Sequence, residues 1–323
     1  MDDVVVEVFH TVEDAEKALR RDARTGLTSN PKWLPPKWFY DARGSQLFED
    51  ITRLEDYYPT RAEREILLRR AFDIADRTGA HTLVELGSGS SEKTRLLLDA
   101  LQAGGSLRQF VPLDVSETAL REAVAAIARD YPGIRVHGVV GDFTEHLGRT
   151  PGQSPRLVAF LGGTIGNLFP TERATFFGEV REALARGEWL LLGTDLVKDP
   201  AVLVRAYDDR EGVTAEFNRN VLSVLNRELG ADFPVEEFDH HATWDARHEW
   251  VEMRLRARRP LTVTVDDLDL RVQLERGEEI RTEISAKFRR ERVEAELSAA
   301  GFELVQWWTD DQRRFALSLA QAV

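Results

Sequence analysis

Between His81 and about residue 192, short apolar runs alternate with amphipathic stretches, and this rhythm limits the fold more than any other feature of the chain. The apolar runs fall at 82–86, 109–113, 134–140, 157–161 and 188–192 and have the length of buried strands. Amphipathic spacing places helices at 91–103, 117–130 and 171–185 among them, with an earlier helix at 12–24. Strand and helix in repeated alternation require right-handed crossovers. The expected fold is therefore a doubly wound α/β sheet, mostly parallel, that receives ligands at the carboxyl ends of its strands.

The C-terminal end departs from that rhythm. A helix over 290–300 meets Gly301 as its cap, a strand follows over 302–308, and the polar residues 309–312 make a turn. Beyond the turn, Phe315, Leu317 and Leu319 alternate with Ala316, Ser318 and Ala320. Four turn residues cannot cross over to a parallel neighbour, so the last two strands form an antiparallel hairpin. A mostly parallel sheet closed in this way resembles the class I methyltransferase fold. Residues 63–196 and 288–323 are assigned to that domain, and residues 1–62 and 197–287 to a smaller substrate-binding domain.

Composition narrows the function. A chain of 323 residues with 42% hydrophobic and 31% charged residues suits one large globular domain plus a smaller one. A net charge of -13 argues against nucleic acid, whose phosphates call for a basic face. The absence of cysteine excludes disulfides, thiolate metal sites and a cysteine nucleophile. His240, His241 and His248 form the only histidine cluster and lack the i, i+4 and HExxH spacings, so no metal is expected. Residues 1–9 are acidic and unlike a secretory signal, and no apolar run of about 18 residues occurs. A cytoplasmic monomer without membrane contact is expected. The acidic run Glu275 to Glu279 is read as a solvated turn.

Three strand ends carry the cofactor signal. The first is Val84-Glu85-Leu86-Gly87-Ser88-Gly89-Ser90-Ser91, where two glycines permit a sharp turn and close approach of a ligand. A tight turn with a serine cap is the plainer reading, and the third glycine of the dinucleotide fingerprint is missing. Lys93, expected in the first helical turn, opposes the macrodipole and so calls for an anion, such as the carboxylate of a methionine moiety. Asp114 ends the second strand 25 residues after Gly89, where a carboxylate can take both ribose hydroxyls. Gly141-Asp142-Phe143 ends the third, offering an acceptor for an adenine amino group and a ring to pack on it. Each acid alone reads as a loop residue or helix cap. Together, in order, they point to S-adenosylmethionine.

Several further stretches resemble the histidine Nα-methyltransferases of ergothioneine biosynthesis. They are Leu34-Pro-Pro-Lys-Trp-Phe-Tyr40-Asp41, Tyr57-Tyr58-Pro59-Thr60-Arg61, Leu161-Gly-Gly-Thr-Ile-Gly-Asn167, Leu192-Gly-Thr-Asp-Leu-Val197, Phe217-Asn-Arg-Asn220 and Glu283-Ile-Ser285-Ala-Lys-Phe288, beside the Gly-rich turn. The resemblance spans nearly the whole chain and implies threefold methylation of the α-amino group of free L-histidine to hercynine. It implies that Tyr40, Gly87, Lys93, Asp114, Asp142 and Phe143 contact the cofactor. Tyr57, Asn167 and Tyr207 would hold the amino and carboxylate end of histidine, with Tyr40 and Asn167 as catalytic residues. Glu283 and Ser285 would bind the imidazole, with Met253 beside them. The run Leu161-Gly162-Gly163-Thr164 departs from the family pattern, which has serine before the threonine.

The residue types suit these roles. In a strand, Glu283 and Ser285 share a face while Ile284 points away, and a carboxylate beside a hydroxyl can satisfy both imidazole nitrogens. Met253 shares a face with Val251 and Leu255, which leaves core packing and a pocket role equally open. Asn167 offers a donor and an acceptor on a Gly-rich loop, and tyrosine faces favour a sulfonium or quaternary ammonium. Methyl transfer needs little beyond a neutral amine held in line. Competing readings are methylation of another amino acid such as an indole amino acid, an NAD-dependent oxidoreductase, and a non-catalytic cofactor-binding sensor. The Glu283–Ser285 pair favours imidazole over indole, and the hairpin counts against the oxidoreductase.

Overall fold

The computed structural model describes residues 4–9, 11–89 and 91–323. Residues 1–3, at the head of the segment compared with a secretory signal, and Ser90 of the Gly-rich turn therefore lie outside the described residues. The chain divides into two compact units, one of Met1–His10, Pro59–Val197 and Phe288–Val323, the other of Thr11–Tyr58 and Lys198–Lys287.

Among its described residues the first unit contains an eight-stranded sheet. Its spatial order is Val4–Val8, Arg135–Val140, Gln109–Asp114, Thr82–Leu86, Arg156–Phe160, Trp189–Asp195, Phe315–Ala322 and Phe302–Thr309. Neighbours pair in parallel up to Trp189–Asp195, which pairs antiparallel with Phe315–Ala322, and the final hairpin is antiparallel too. Chain order reverses at Thr82–Leu86, so the crevice of the doubly wound topology opens at that strand's carboxyl end. This is the class I methyltransferase architecture. Strand Thr82–Leu86 is buried along its whole length, as a central parallel strand covered on both faces must be. Leu83, Leu97, Leu101, Phe110, Leu120, Val136 and Leu191 belong to the core that covers it.

Three expectations need correction here. Val4–Val8, placed by sequence in the second domain, pairs in parallel with Arg135–Val140 and extends the first unit's sheet. Its run of β-branched residues favours that edge position. The helix expected at 91–103 begins only at Arg95. Ser91 adopts a left-handed φ of 53°, and its hydroxyl donates to Glu85 at 2.9 Å, so the turn lengthens before the helix can start. The strand expected at 188–192 spans Trp189–Asp195, because antiparallel pairing with Phe315–Ala322 carries it to Asp195. Glu188 lies outside it, where its carboxylate accepts from Arg156 and from the Ala185 amide.

The second unit is built on an antiparallel sheet in the order Lys32–Trp33, Glu279–Ala286, Trp250–Ala257, Phe238–Asp245, with Lys32–Trp33 adding as a parallel edge. Helices Val12–Thr28, Ala42–Arg53, Pro200–Tyr207 and Val213–Leu229 accompany it. Leu19, Leu47, Leu203, Phe217, Leu225, Met253 and Ile280 lie in its core. Glu279, read from sequence as part of a solvated turn, instead opens a strand and accepts from both Arg254 and Arg256. The turn itself ends one residue earlier.

Candidate functional site

In the first unit the Gly-rich turn follows directly from the buried strand Thr82–Leu86. Gly87 and Gly89 have φ of 66° and 48°, a region closed to most side chains, and among the described residues no atom beyond those of the adjoining residues lies within 4 Å of where a Cβ would stand on either. The turn therefore presents open space lined by backbone, which fits a ligand that approaches closely. Asp114 closes it. One carboxylate oxygen accepts the Gly89 amide at 2.9 Å and the other the Ser116 amide at 2.9 Å. Burial raises its pKa, and the Ser116, Gly89 and Val115 amides work against that rise. Glu85 sits behind the turn with its carboxyl pushed up by burial to about 7, opposed by the Thr94 and Ser91 hydroxyls and by Lys93.

Lys93 lies in the turn ahead of the helix, not in its first turn. The anion it called for is present in the protein itself: Glu63, fully buried on the helix Pro59–Thr78, forms an ion pair with its ammonium. The same carboxylate accepts the Gly162 amide on both oxygens, at 2.8 and 3.0 Å. Glu63 thus joins Lys93, just past the Gly-rich turn, to the loop that carries Asn167, which ends the short 3-10 turn Thr164–Asn167. Asp142 heads the short helix Phe143–His146, whose Glu145 and His146 amides donate to its carbonyl at 3.0 and 2.9 Å. Phe143 packs on Phe160 and Phe176, with centroids 5.0 and 5.8 Å apart. Gly87, Lys93, Asp114, Asp142, Phe143 and Asn167 all belong to this unit.

The second unit holds the other expected residues. Tyr40, Phe48, Tyr57 and Tyr207 form a file of edge-on rings, with successive centroids 5.6, 6.2 and 6.3 Å apart. At its end the Tyr207 hydroxyl lies 2.7 Å from the Ser285 hydroxyl. Lys287, 0% exposed, donates to both oxygens at 2.8 Å. Glu283 is half-buried on the same strand and pairs across the sheet with Met253. Met253 itself is 2% exposed and part of the core, which favours the packing role over the pocket. Tyr58 takes a separate place, its hydroxyl accepting from Lys198 at 2.6 Å, so Tyr57 is the member of the pair that faces Tyr207.

Polar residues of the matching motifs serve as scaffolding. Asp41 caps the helix Ala42–Arg53 through the Gly44 amide and accepts from Asn220, fixing the backbone beside Tyr40. Asn218 bridges Thr282 and His240, and His240 Nε2 donates to the Tyr207 carbonyl at 2.7 Å. Burial lowers the pKa of His240 and keeps the ring neutral, so Nδ1 accepts from the Asn218 amide. Sequence reasoning set this histidine aside for metal and did not see its support of Tyr207. It also missed Glu63 and Lys287. Lys287 was within reach, since positions 283, 285 and 287 continue one strand alternation.

The profile of the histidine-specific, S-adenosylmethionine-dependent methyltransferases matches residues 19–322. The chain belongs to this family. A histidine N-alpha-methyltransferase of Mycolicibacterium smegmatis is 58% identical over 312 residues, covering 97% of each chain. One of Mycobacterium tuberculosis is 56% identical, over 96% of this chain and 97% of that protein. Ergothioneine biosynthesis protein 1 of Neurospora crassa is 32% identical over 90% of this chain but 34% of its own length. The family member described here has no helix, among the described residues, long and apolar enough to cross a membrane. Nor do three or more histidines, cysteines or carboxylates stand together among those residues as metal ligands would.

Proposed function

We propose that this methyltransferase transfers methyl groups from S-adenosylmethionine to the α-amino group of free L-histidine, three in succession, giving hercynine in ergothioneine biosynthesis. The observation that carries the reading is the shared strand face of Glu283 and Ser285, with Ser285 bonded to Tyr207 and Tyr207 packed on Tyr57. A ring acceptor, a ring donor and tyrosine faces for the amino acid head are then neighbours in one unit. In the first unit, Asp114 would take the ribose hydroxyls on its remaining lone pairs, and Asp142 and Phe143 the adenine. Lys93 would meet the methionine carboxylate, with Glu63 holding it in place.

The co-substrate supplies a methyl group on a sulfonium, the electrophile of the reaction. Everything else asked of the protein is placement. The α-nitrogen must be neutral and in line with the methyl–sulfur bond; as the N–C bond forms, the S–C bond breaks and the nitrogen then sheds a proton before the next transfer. In-line positioning can supply about 7–11 kcal/mol of the barrier. An α-amino group titrates at about 7.7–8.0 in peptides and higher in a free amino acid, whose carboxylate favours the ammonium, so the neutral fraction is small near neutral pH and the nitrogen must shed its proton before it attacks. Asn167 and Tyr40 are read as orienting the nitrogen. The rings of Tyr57 and Tyr207 tolerate growing methyl bulk, because their faces attract an ammonium without requiring an N–H. The acidic balance of the chain counts against nucleic acid and suits a small-molecule partner; the reading also takes the protein as a cytoplasmic monomer.

A time course by mass spectrometry with histidine and S-adenosylmethionine tests this. Mono- and dimethylhistidine should be consumed and the trimethyl betaine should accumulate. Product that stops at one methyl, or carries the label on a ring nitrogen, would defeat the proposed placement. Glu283→Ala should cost histidine far more kcat/KM than it costs an apolar amino acid. Equal losses would move Glu283 from the pocket to the scaffold.

A further inference from the structure

We propose that Glu63 and Arg173 are positioning residues, which clamp the loop carrying Asn167 at both ends and so set where the α-nitrogen of the amino acid is held. The inference rests on the reading that Asn167 orients that nitrogen. The loop enters at Gly162 and Gly163, with φ of 78° and 72°, and runs through the 3-10 turn Thr164–Asn167 to Leu168. Two glycines in succession restrict the backbone little and lose much freedom when they are ordered. A short 3-10 turn, with its poor hydrogen-bond geometry, offsets little of that loss. The position of the loop therefore depends on bonds from outside it.

At the entrance, both Glu63 oxygens accept the Gly162 amide, at 2.8 and 3.0 Å, and Lys93 pairs with the same carboxylate. At the exit, Arg173 Nη1 donates to the carbonyl of Leu168, the residue after Asn167, at 2.9 Å. The guanidinium is not free to follow the loop. Its Nε and Nη2 donate to the two Glu296 oxygens, at 2.9 and 2.8 Å, and it lies over the Phe288 ring, 5.2 Å from the centroid. A planar fork held at two points aims its third donor in a fixed direction, so the carbonyl comes to the guanidinium and not the reverse. Glu63 and Arg173 are both 0% exposed. Buried ion pairs seldom stabilise a fold more than apolar side chains of the same volume, so stability alone does not account for one at each end of a single loop. Placement does, because charge-assisted bonds are shorter and roughly twice as strong as neutral ones. The two ends differ in one respect: Glu63 also holds Lys93, whereas Arg173 is tied to Glu296 on the helix Arg290–Ala299.

The test is a pair of double-mutant cycles on histidine methylation, Arg173→Met with Asn167→Ala and Glu63→Ala with Asn167→Ala. Folding is followed by circular dichroism and thermal melts. Arg173→Met should lower kcat by about 10–100-fold, the scale of a small misplacement of a reacting group, with S-adenosylmethionine affinity unchanged by calorimetry. Glu63→Ala should lower kcat and weaken S-adenosylmethionine as well, since Lys93 loses its partner. In the Asn167→Ala background either substitution should cost little further kcat, because the group it places is already gone. Additive losses in either cycle would overturn the inference and leave residues that only support the fold. Glu296→Gln, which lowers stability but keeps the Leu168 bond, should lose much less kcat than Arg173→Met; equal losses would also overturn it. Wild-type kcat/KM in Asn167→Ala would remove Asn167 from the reaction and the inference with it, a failure of the underlying reading that this single variant isolates. If Arg173→Met fails to fold, Arg173→Met/Glu296→Met, which strands no buried charge, is scored in the same cycle.

Discussion

A carboxylate whose oxygens already accept backbone amides can still recognise a ligand, because each oxygen keeps a second lone pair. Asp114 is in this position, tied to Gly89 and Ser116. Asp114→Ala should therefore weaken S-adenosylmethionine binding by about 1.5–3 kcal/mol, through both the ligand bonds and the loosened turn. Calorimetry finding wild-type affinity in a folded variant would remove Asp114 from the cofactor site. Glu85 makes a different forecast. Its carboxyl is raised from 4.5 to about 7, so the folded protein keeps a proton that the unfolded chain has lost. Its contribution to stability falls as pH rises through that window and levels off above it. Thermal melts of wild type and Glu85→Gln should converge at acid pH and separate toward neutral pH, with the variant the more stable. Parallel curves would show that the group titrates alike in the folded and unfolded chain. Residue by residue, the sequence exposed the acids at strand ends and the Glu283–Ser285 alternation. It hid Glu63, which lies 30 positions from its lysine; pairing across that distance is made by packing and leaves no local pattern.

At the scale of elements, strands and helices were legible wherever apolar periodicity was strong, and their ends were not. Helix Glu117–Asp130 matches expectation to the residue, its N-cap serine bonded to Ala119. The helix at Arg95 starts late because a left-handed Ser91 and a buried carboxylate intervene, features without any hydrophobic signature. The edge strand Val4–Val8 escaped notice because it stands outside the regular strand–helix alternation that marked the others. Two helices of the first unit, Pro170–Ala183 and Arg290–Ala299, are joined by Arg173, 0% exposed, and Glu296, whose bidentate contacts measure 2.8 and 2.9 Å. Burial raises the Glu296 pKa, but the Arg173 and Arg292 guanidinium groups more than reverse it, leaving it below the ordinary carboxylate range. Removing one partner strands a buried charge, so Glu296→Ala should cost about 3–5 kcal/mol in urea unfolding. A loss under about 1 kcal/mol would mean that water reaches Arg173 and the pair behaves as a surface bridge. Gly193 has a tighter constraint, since a Cβ there would lie 2.3 Å from the Glu63 carboxylate. Gly193→Ala should displace Glu63, and so disturb cofactor affinity more than it disturbs thermal stability; the reverse order would show that the strand, not Glu63, yields.

Across the whole molecule, the sequence revealed an α/β sheet with a hairpin finish and a second region of about 90 residues inserted before it. It did not reveal that residues 4–8 belong with the sheet, since sheet membership at an edge depends on a partner far away in the chain. The twelve expected site residues divide evenly, six in each unit. Amide hydrogen exchange should then resolve the two recognitions: S-adenosylmethionine alone should protect residues 86–93, 114–116 and 142–146, and histidine should add protection at 283–287. Protection of both sets by the cofactor alone would mean that the assignment of roles to units is wrong. One further consequence comes from the place where the chain leaves the sheet. The Val197 amide donates to the Phe288 carbonyl at 3.0 Å, and the Phe288 amide to the Asp195 carbonyl at 2.8 Å. Exit and return are thus clasped to each other inside the first unit, and a segment clasped at its base can be lengthened or exchanged at little closure entropy. On the proposed reading, descent can then rewrite the intervening residues, and with them the choice of amino acid, and leave the proposed cofactor frame unaltered.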